Sequence, residues 1–168
     1  MPRLQKLRSL MLLYPVGASG EVIQFEQGVL DHFDRNRQHR CWHREGGGQL
    51  FARIDGHRIL VSEATGPRPK DKRGRTFFEP DRGSEQVEIE ALFARDLHYI
   101  GDWHTHPERC PVPSGRDNAT MASRVRLSRH RLAGFVFVIV GQLSPPSGMT
   151  VLVHDGTSGH VLSPAYIE

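Results

Sequence analysis

Two histidines and an aspartate in the second half of the chain have the types and spacing of ligands for one divalent metal ion. His104 and His106 lie two residues apart in a segment, residues 99–106, whose pattern predicts a strand. Side chains two apart on a strand share a face, so both imidazoles can reach one ion. Asp117 falls in the first turn of the next predicted helix, residues 114–131. Two imidazoles and one carboxylate with an open fourth position form the ligand set of a hydrolytic zinc site.

The same residues have interpretations that require no metal. Ser114 and Asp117 have the spacing of a helix N-terminal capping box. His-x-His alone is a weak signal because the chain has ten histidines. The joint pattern His-x-His-x7-Ser-x-x-Asp is expected by chance roughly 0.2% of the time at this chain's own residue frequencies. The metal site is therefore favoured, and the cap is compatible with it because capping would fix the position of Asp117.

The elements that must position these residues are strands and helices in mixed order. Strands are predicted at residues 21–25, 49–54, 57–63, 99–106, 135–140 and 149–154, and helices at 26–37, 84–96 and 114–131. The uninterrupted apolar run predicts that the strand at 135–140 is fully buried. Asp55-Gly56 predicts a hairpin turn between two of the strands. The 168 residues suit one domain of the α+β (mixed α/β) class.

The pattern His104-x-His106-x7-Ser114-x-x-Asp117 resembles the complete JAMM motif of the JAB/MPN metalloprotease family. The resemblance extends from about residue 22 to about residue 153. It implies one JAB/MPN domain with a central curved mixed β-sheet flanked by helices. We place this metalloprotease domain at residues 18–168, after an N-terminal extension of residues 1–17.

The resemblance also implies the roles of the site residues. His104, His106 and Asp117 would hold one Zn²⁺ per chain. Glu45, followed by three glycines and an apolar strand, is similar to the family's catalytic glutamate. It would accept a proton from the water that the metal activates and return it to the leaving amine. Ser114 would stabilise the charge on the carbonyl oxygen and would not act as a nucleophile.

The chain is most similar to stand-alone bacterial JAB proteins of anti-phage operons, with Trp103 as one shared feature. This resemblance implies a deubiquitinase-like isopeptidase or precursor-processing peptidase. Its partners would be a ubiquitin-like protein or a conjugated target protein, and the operon's ubiquitin-activating and -conjugating-like enzyme. In type II CBASS operons the conjugated protein is a cGAS-like nucleotidyltransferase, whereas other operons use a ubiquitin-like modifier. The sequence leaves these two settings open. A catalytically silent MPN scaffold is an alternative, but such scaffolds usually lack the metal ligands.

The last predicted helix suggests a further alternative, a nucleic-acid-binding protein. Four arginines lie on the last predicted helix: Arg124, Arg126, Arg129 and Arg131. A solvated basic face is favoured because no recognition motif or interleaved aromatic residues accompany them, and the net charge is only +3. A Pro/Gly-rich loop, residues 66–80, also carries five basic residues. It is interpreted as a solvated loop, with a basic lip for a partner as the alternative.

Cysteine content and hydropathy predict a cytoplasmic protein without a membrane span. Cys41 and Cys110 do not form a disulfide framework. Cys110 lies between the proposed ligands and could approach the zinc, but an ordinary loop thiol is the favoured interpretation. The basic and apolar residues near the N-terminus loosely resemble a signal peptide, but the apolar run, residues 10–13, is too short. No apolar stretch has the length of a membrane-spanning helix.

Overall fold

A nine-stranded mixed β-sheet forms the centre of the computed structural model, which describes residues 11–167. The strands of this sheet are β1 (Met11–Pro15), β2 (Val22–Phe25), β3 (Gly47–Asp55), β4 (Arg58–Ala64), β7 (His98–Thr105), β8 (Phe135–Val140), β9 (Met149–His154), β10 (Gly159–Val161) and β11 (Ala165–Ile167). Their order in the sheet is β10-β9-β8-β7-β3-β4-β2-β1-β11. A separate two-stranded hairpin consists of β5 (Lys72–Arg73) and β6 (Phe78–Glu79).

Two strand pairs in the large sheet are parallel, β2 with β4 and β7 with β8, and the other pairs are antiparallel. The predicted hairpin between β3 and β4 is confirmed, and Gly56 adopts a φ of 57° in its turn. That left-handed conformation strains residues with a Cβ atom, which is why the turn favours glycine.

In the described part of the chain, three helices cover the two faces of the sheet: α1 (Gln27–Asn36), α2 (Arg82–Phe93) and α3 (Gly115–Leu127). Strand β8 shows the arrangement, because its side chains alternate between two hydrophobic clusters. Val138 joins the cluster that contains Phe33 of α1, whereas Phe137 joins the cluster that contains Met121 of α3. The predicted mixed sheet flanked by helices is confirmed, as is the complete burial of β8.

Several short strands were missed by the sequence analysis. β1 lies inside the segment assigned as an N-terminal extension, yet it pairs with both β2 and β11. Residues 11–15 are therefore integrated in the sheet; residues 1–10 lie outside the described part of the chain. Helix α2 begins at Arg82, before the predicted start at residue 84, because Asp81 caps it by accepting from the backbone N–H of Ser84. Within residues 11–167, no helix has the length and apolar character needed to cross a membrane.

Candidate metal centre and hydrolytic site

The two histidines lie at the C-terminal end of β7. His104 is in the strand and His106 follows its last residue. Thr105, between them, faces the opposite side of the sheet and is fully buried. Its backbone N–H donates to the carbonyl of Gly46 at 2.8 Å, and its Oγ1 accepts from the N–H of Gly46 at 2.9 Å. The intervening residue thus fastens the His-x-His segment to the start of β3.

Asp117 reaches the histidines from the first turn of α3. The predicted capping box is present: Ser114 Oγ accepts from the N–H of Asp117 at 3.1 Å, and Asp117 Oδ2 accepts from the N–H of Ser114 at 2.7 Å. This reciprocal pair satisfies two donors that a helix start would otherwise leave unpaired. The cap therefore holds the carboxylate at the helix start, where it can also meet the imidazoles.

The three side chains converge on one point. His104 Nε2 lies 3.1 Å from His106 Nε2 and 3.2 Å from Asp117 Oδ1, and His106 Nε2 lies 3.3 Å from Asp117 Oδ2. A tetrahedral zinc ion with bonds of about 2.0–2.2 Å has ligand atoms about 3.3–3.6 Å apart. The observed distances of 3.1–3.3 Å are at or slightly below that range, and the three donor groups are two imidazoles and one carboxylate. The residues present therefore fit a zinc ion by both chemistry and distance.

The electrostatics of this group favour the ionised form of Asp117, whereas they favour the protonated form of His106. Burial raises the pKa of Asp117, but hydrogen bonds from His104 and His106 lower it more strongly, so the net pKa lies well below its usual range. Burial lowers the pKa of His106, but its hydrogen bond to Asp117 raises it more, so the net pKa lies above its usual value. The carboxylate is consequently ionised at neutral pH, which is the form that binds a cation.

Glu45 lies beside this group, immediately before the glycines that begin β3. In the sheet Gly47 is the register partner of His104, so the start of β3 is adjacent to the histidine strand. The Glu45 residue is 8% exposed. Burial raises the pKa of its carboxyl group to about 7, while the positive charge of His106 opposes that rise. A carboxyl group with a pKa near neutrality can both accept and donate a proton at physiological pH.

A cleft of about 340 Å³ contains the predicted site residues together. Glu45, Ser114 and the three proposed ligands line it, so all five residues that the sequence analysis selected meet at one site. Phe77 and Phe78, from the segment of the hairpin, line the same cleft. The assigned roles of these residues stay predictions, whereas their convergence is a property of the fold.

A buried ionic cluster at the same cleft was missed by the sequence analysis. Arg124 of α3 donates to Asp102 Oδ2 at 2.8 Å and to both carboxylate oxygens of Glu85, at 2.6 and 2.7 Å. Tyr99 also donates to Asp102, at 2.9 Å. The cluster joins α3, β7 and α2. The spacing contained a signal for this cluster. Asp102 shares a face of its strand with His104, and Arg124, seven residues after Asp117, shares a face of its helix with that aspartate.

The predicted basic helix face is not one continuous solvated surface, and α3 ends at Leu127, before Arg129 and Arg131. Arg124 is committed to the ionic cluster, and Arg126 donates to the carbonyl of Gly156 at 2.8 Å.

The loop at residues 66–80 also differs from the prediction of a solvated loop. Arg68 is 9% exposed and forms an ion pair with Glu88. Two further observations concern the cysteines: Cys41 and Cys110 are both free and exposed, and neither belongs to the converging metal-ligand group.

Comparison with known proteins agrees with this geometry. Residues 28–153 match the family model of prokaryotic homologs of the JAB domain. A CD-NTase/cGAS isopeptidase of Pseudomonas aeruginosa is 32% identical over 136 residues, which cover 76% of this chain and 85% of that protein. A probable metalloprotease of Sinorhizobium fredii is 30% identical over 105 residues, 59% of this chain and 64% of that protein. A solution structure of a protein from Desulfitobacterium hafniense has a TM-score of 0.58 at 18% identity, covering 83% of this chain and 88% of that chain, which shows a shared fold. The family predicted from the motif is confirmed, and the chain belongs to the prokaryotic JAB-domain family.

Proposed function

We propose that the chain is a zinc-dependent isopeptidase that removes a protein joined through its C-terminal carboxyl group to a lysine amine. The observation that carries this proposal is the convergence of two imidazoles, one carboxylate and the buried Glu45 in one cleft. His104, His106 and Asp117 would hold the zinc ion. When bound, zinc polarises oxygen ligands and lowers the pKa of water.

The residues of this chain would then divide the remaining work. Glu45 takes a proton from the attacking water and transfers it to the leaving amine, because an amine leaves poorly unless it is protonated. Ser114 Oγ already accepts from the N–H of Asp117, so its hydroxyl proton is free to stabilise the carbonyl oxygen as that oxygen gains charge. The hydrogen bonds of His104 and His106 run to the carboxylate and to each other, which argues against a serine nucleophile activated by histidine.

The relatives favour one of the two settings that the sequence left open. The similar protein of Pseudomonas aeruginosa is called a CD-NTase/cGAS isopeptidase. We therefore propose that the substrate is a CD-NTase whose C-terminus is conjugated to another protein. A ubiquitin-activating and -conjugating-like enzyme would form this bond in the bacterial cytoplasm, and the present chain would hydrolyse it. A silent scaffold role is disfavoured because all three proposed ligands are present and converge.

The test uses a C-terminal segment of a CD-NTase attached through its carboxyl group to the lysine amine of a reporter protein. Mass spectrometry should detect a free CD-NTase C-terminus and an unmodified lysine. A chelator should abolish cleavage, and one equivalent of Zn²⁺ should restore it. A second substrate carries a ubiquitin-like protein in place of the CD-NTase segment; cleavage of this substrate alone would contradict the CD-NTase proposal. Cleavage that persists in the chelator-treated protein would contradict the zinc mechanism.

A further inference from the structure

The hairpin formed by β5 and β6 supplies partners for both backbone polar groups of Glu45. The N–H of Glu45 donates to the carbonyl of Gly74 at 2.7 Å, and Nε of Arg73 donates to the carbonyl of Glu45 at 2.5 Å. Buried backbone groups are almost always paired, and these two obtain their partners from consecutive residues of one hairpin. The hairpin therefore fixes the peptide groups on both sides of the Glu45 Cα atom.

Arg73 spans two successive carbonyl groups. Besides the bond to Glu45, its guanidinium donates to the carbonyl of Arg44 at 3.3 Å. A planar guanidinium with several fixed donors can hold two acceptors at once, which a lysine amine does less well. Arg75, two residues away in the same hairpin, has an exposed side chain. The two arginines therefore differ in what they contact, although their sequence context is the same basic loop.

Packing fixes the hairpin against the glycines after Glu45. A Cβ atom added to Gly47 would lie 2.7 Å from the ring of Phe78, so this aromatic side chain rests directly on the glycine backbone. The carbonyl of Arg75 accepts from Nε2 of Gln38 at 3.0 Å, and Oε1 of Gln38 accepts from the hydroxyl of Thr105 at 2.7 Å. A continuous chain of hydrogen bonds thus links the hairpin to the strand that carries the histidines.

We propose that Arg73 is a positioning residue for Glu45: it holds the backbone of the general base at the distance and angle that proton transfer requires. This inference rests on the proposed function of Glu45. A misplacement of about 1 Å can reduce a rate by about 10²-fold. Removal of the Arg73 side chain should therefore lower kcat by about 10- to 100-fold. KM and zinc content should stay near the wild-type values, because Arg73 does not line the cleft and its hydrogen bonds run to the carbonyls of Glu45 and Arg44.

The experiment is a double-mutant cycle between Arg73 and Glu45. R73A, E45Q and the R73A/E45Q double variant are compared in single-turnover cleavage of the isopeptide-linked reporter, with R75A as the matched control. R75A should behave as the wild-type protein, and R73K should be intermediate because its single nitrogen can donate but cannot hold both carbonyls as the planar guanidinium does. If Arg73 acts through Glu45, R73A lowers the rate in the wild-type background but causes no further loss when Glu45 is already glutamine.

The alternatives give distinct results. An equal loss from R73A in both backgrounds, or a raised KM with unchanged kcat, would overturn the positioning role in favour of a contact with substrate. Wild-type activity of R73A beside an inactive E45Q would overturn the inference and leave the proposed function intact. Full activity of E45Q would overturn the proposed role of Glu45 and the inference with it. If R73A does not fold, R73K decides the question: the inference requires a lower kcat together with faster hydrogen exchange at the Glu45 amide.

Discussion

His104, His106 and Asp117 stand on the ends of regular elements, whereas Glu45 precedes its strand and depends on a hairpin for its backbone partners. On the ligand side, β7 and the capped start of α3 fix the side chains, and the Arg124 cluster joins those elements. On the Glu45 side, the fixing contacts come from residues 28 and 29 positions further along the chain. The ligands are thus placed by local periodicity and the proposed base by a long-range loop contact.

Substitution of a ligand should have the largest effect. H104A or D117A should lose the bound zinc and reduce cleavage by more than about 10³-fold, because the metal supplies several kcal/mol of transition-state stabilisation. Metal content is measured with a chromogenic chelator, with about one zinc per chain expected in the wild-type protein. H57A, which changes an exposed histidine, should keep its zinc. If H104A and D117A both retained zinc, the assignment of these two residues as zinc ligands would be contradicted.

Substitution of Glu45 should separate proton transfer from metal binding. E45A should keep its zinc but lose about 10²- to 10⁴-fold in turnover, since proton transfer is removed while the ligands remain. Metal content and single-turnover cleavage are measured on the same sample. Loss of zinc from E45A would show that Glu45 contributes to metal binding, and full activity would show that it is not the general base.

Removal of Arg124 should destabilise the packing of the elements that carry the proposed ligands. R124M leaves Asp102 and Glu85 without their shared cation, and Glu85 has a side-chain exposure of only 4%. Breaking a buried ion pair from one side costs about 3–5 kcal/mol in the free energy of unfolding. Urea unfolding of the metal-free protein measures this loss. R129M, at an exposed position, should change stability by less than about 0.5 kcal/mol. Equal stability of the two variants would mean that the cluster does not hold α3.

Two substitutions of Ser114 should distinguish its cap from its proposed catalytic role. S114A and S114G both remove the hydroxyl, so both should lose on the order of 10² in turnover. S114A should also lose about 1 kcal/mol in stability, whereas S114G should lose only a few tenths, because glycine is tolerated at a helix N-cap. Thermal unfolding and cleavage rates are compared for the pair. If turnover follows stability across the pair, Ser114 acts only as a cap.

The elements that bear the ligands could be predicted because their signals are local. The two-residue period placed both histidines on one face of β7, and the three-residue spacing of the cap identified the start of α3. The hydrophobic run of β8 likewise predicted a strand buried on both faces. In each case the residues that decide the structure lie within a few positions of one another.

The parts that were missed depend on partners far away in the chain. The residues of β10 are all exposed, so no alternating pattern identifies this strand, and pairing with β9 stabilises it. Arg68 and Arg73 looked like solvated charges because their acceptors, Glu88 and the Glu45 carbonyl, lie 20 and 28 residues away. Only the assembled fold shows which charges in a basic loop point inward.

The position of Asp117 has a consequence for the behaviour of the site in acid. One carboxylate both begins α3 and meets the two imidazoles, and its pKa lies well below the usual range, so it stays ionised as the solution becomes mildly acidic. The pKa of His106 is instead raised, so protons compete for its ring nitrogen first. In the metal-free site, mild acidification should therefore protonate His106, and so disfavour cation binding, while Asp117 continues to cap the helix.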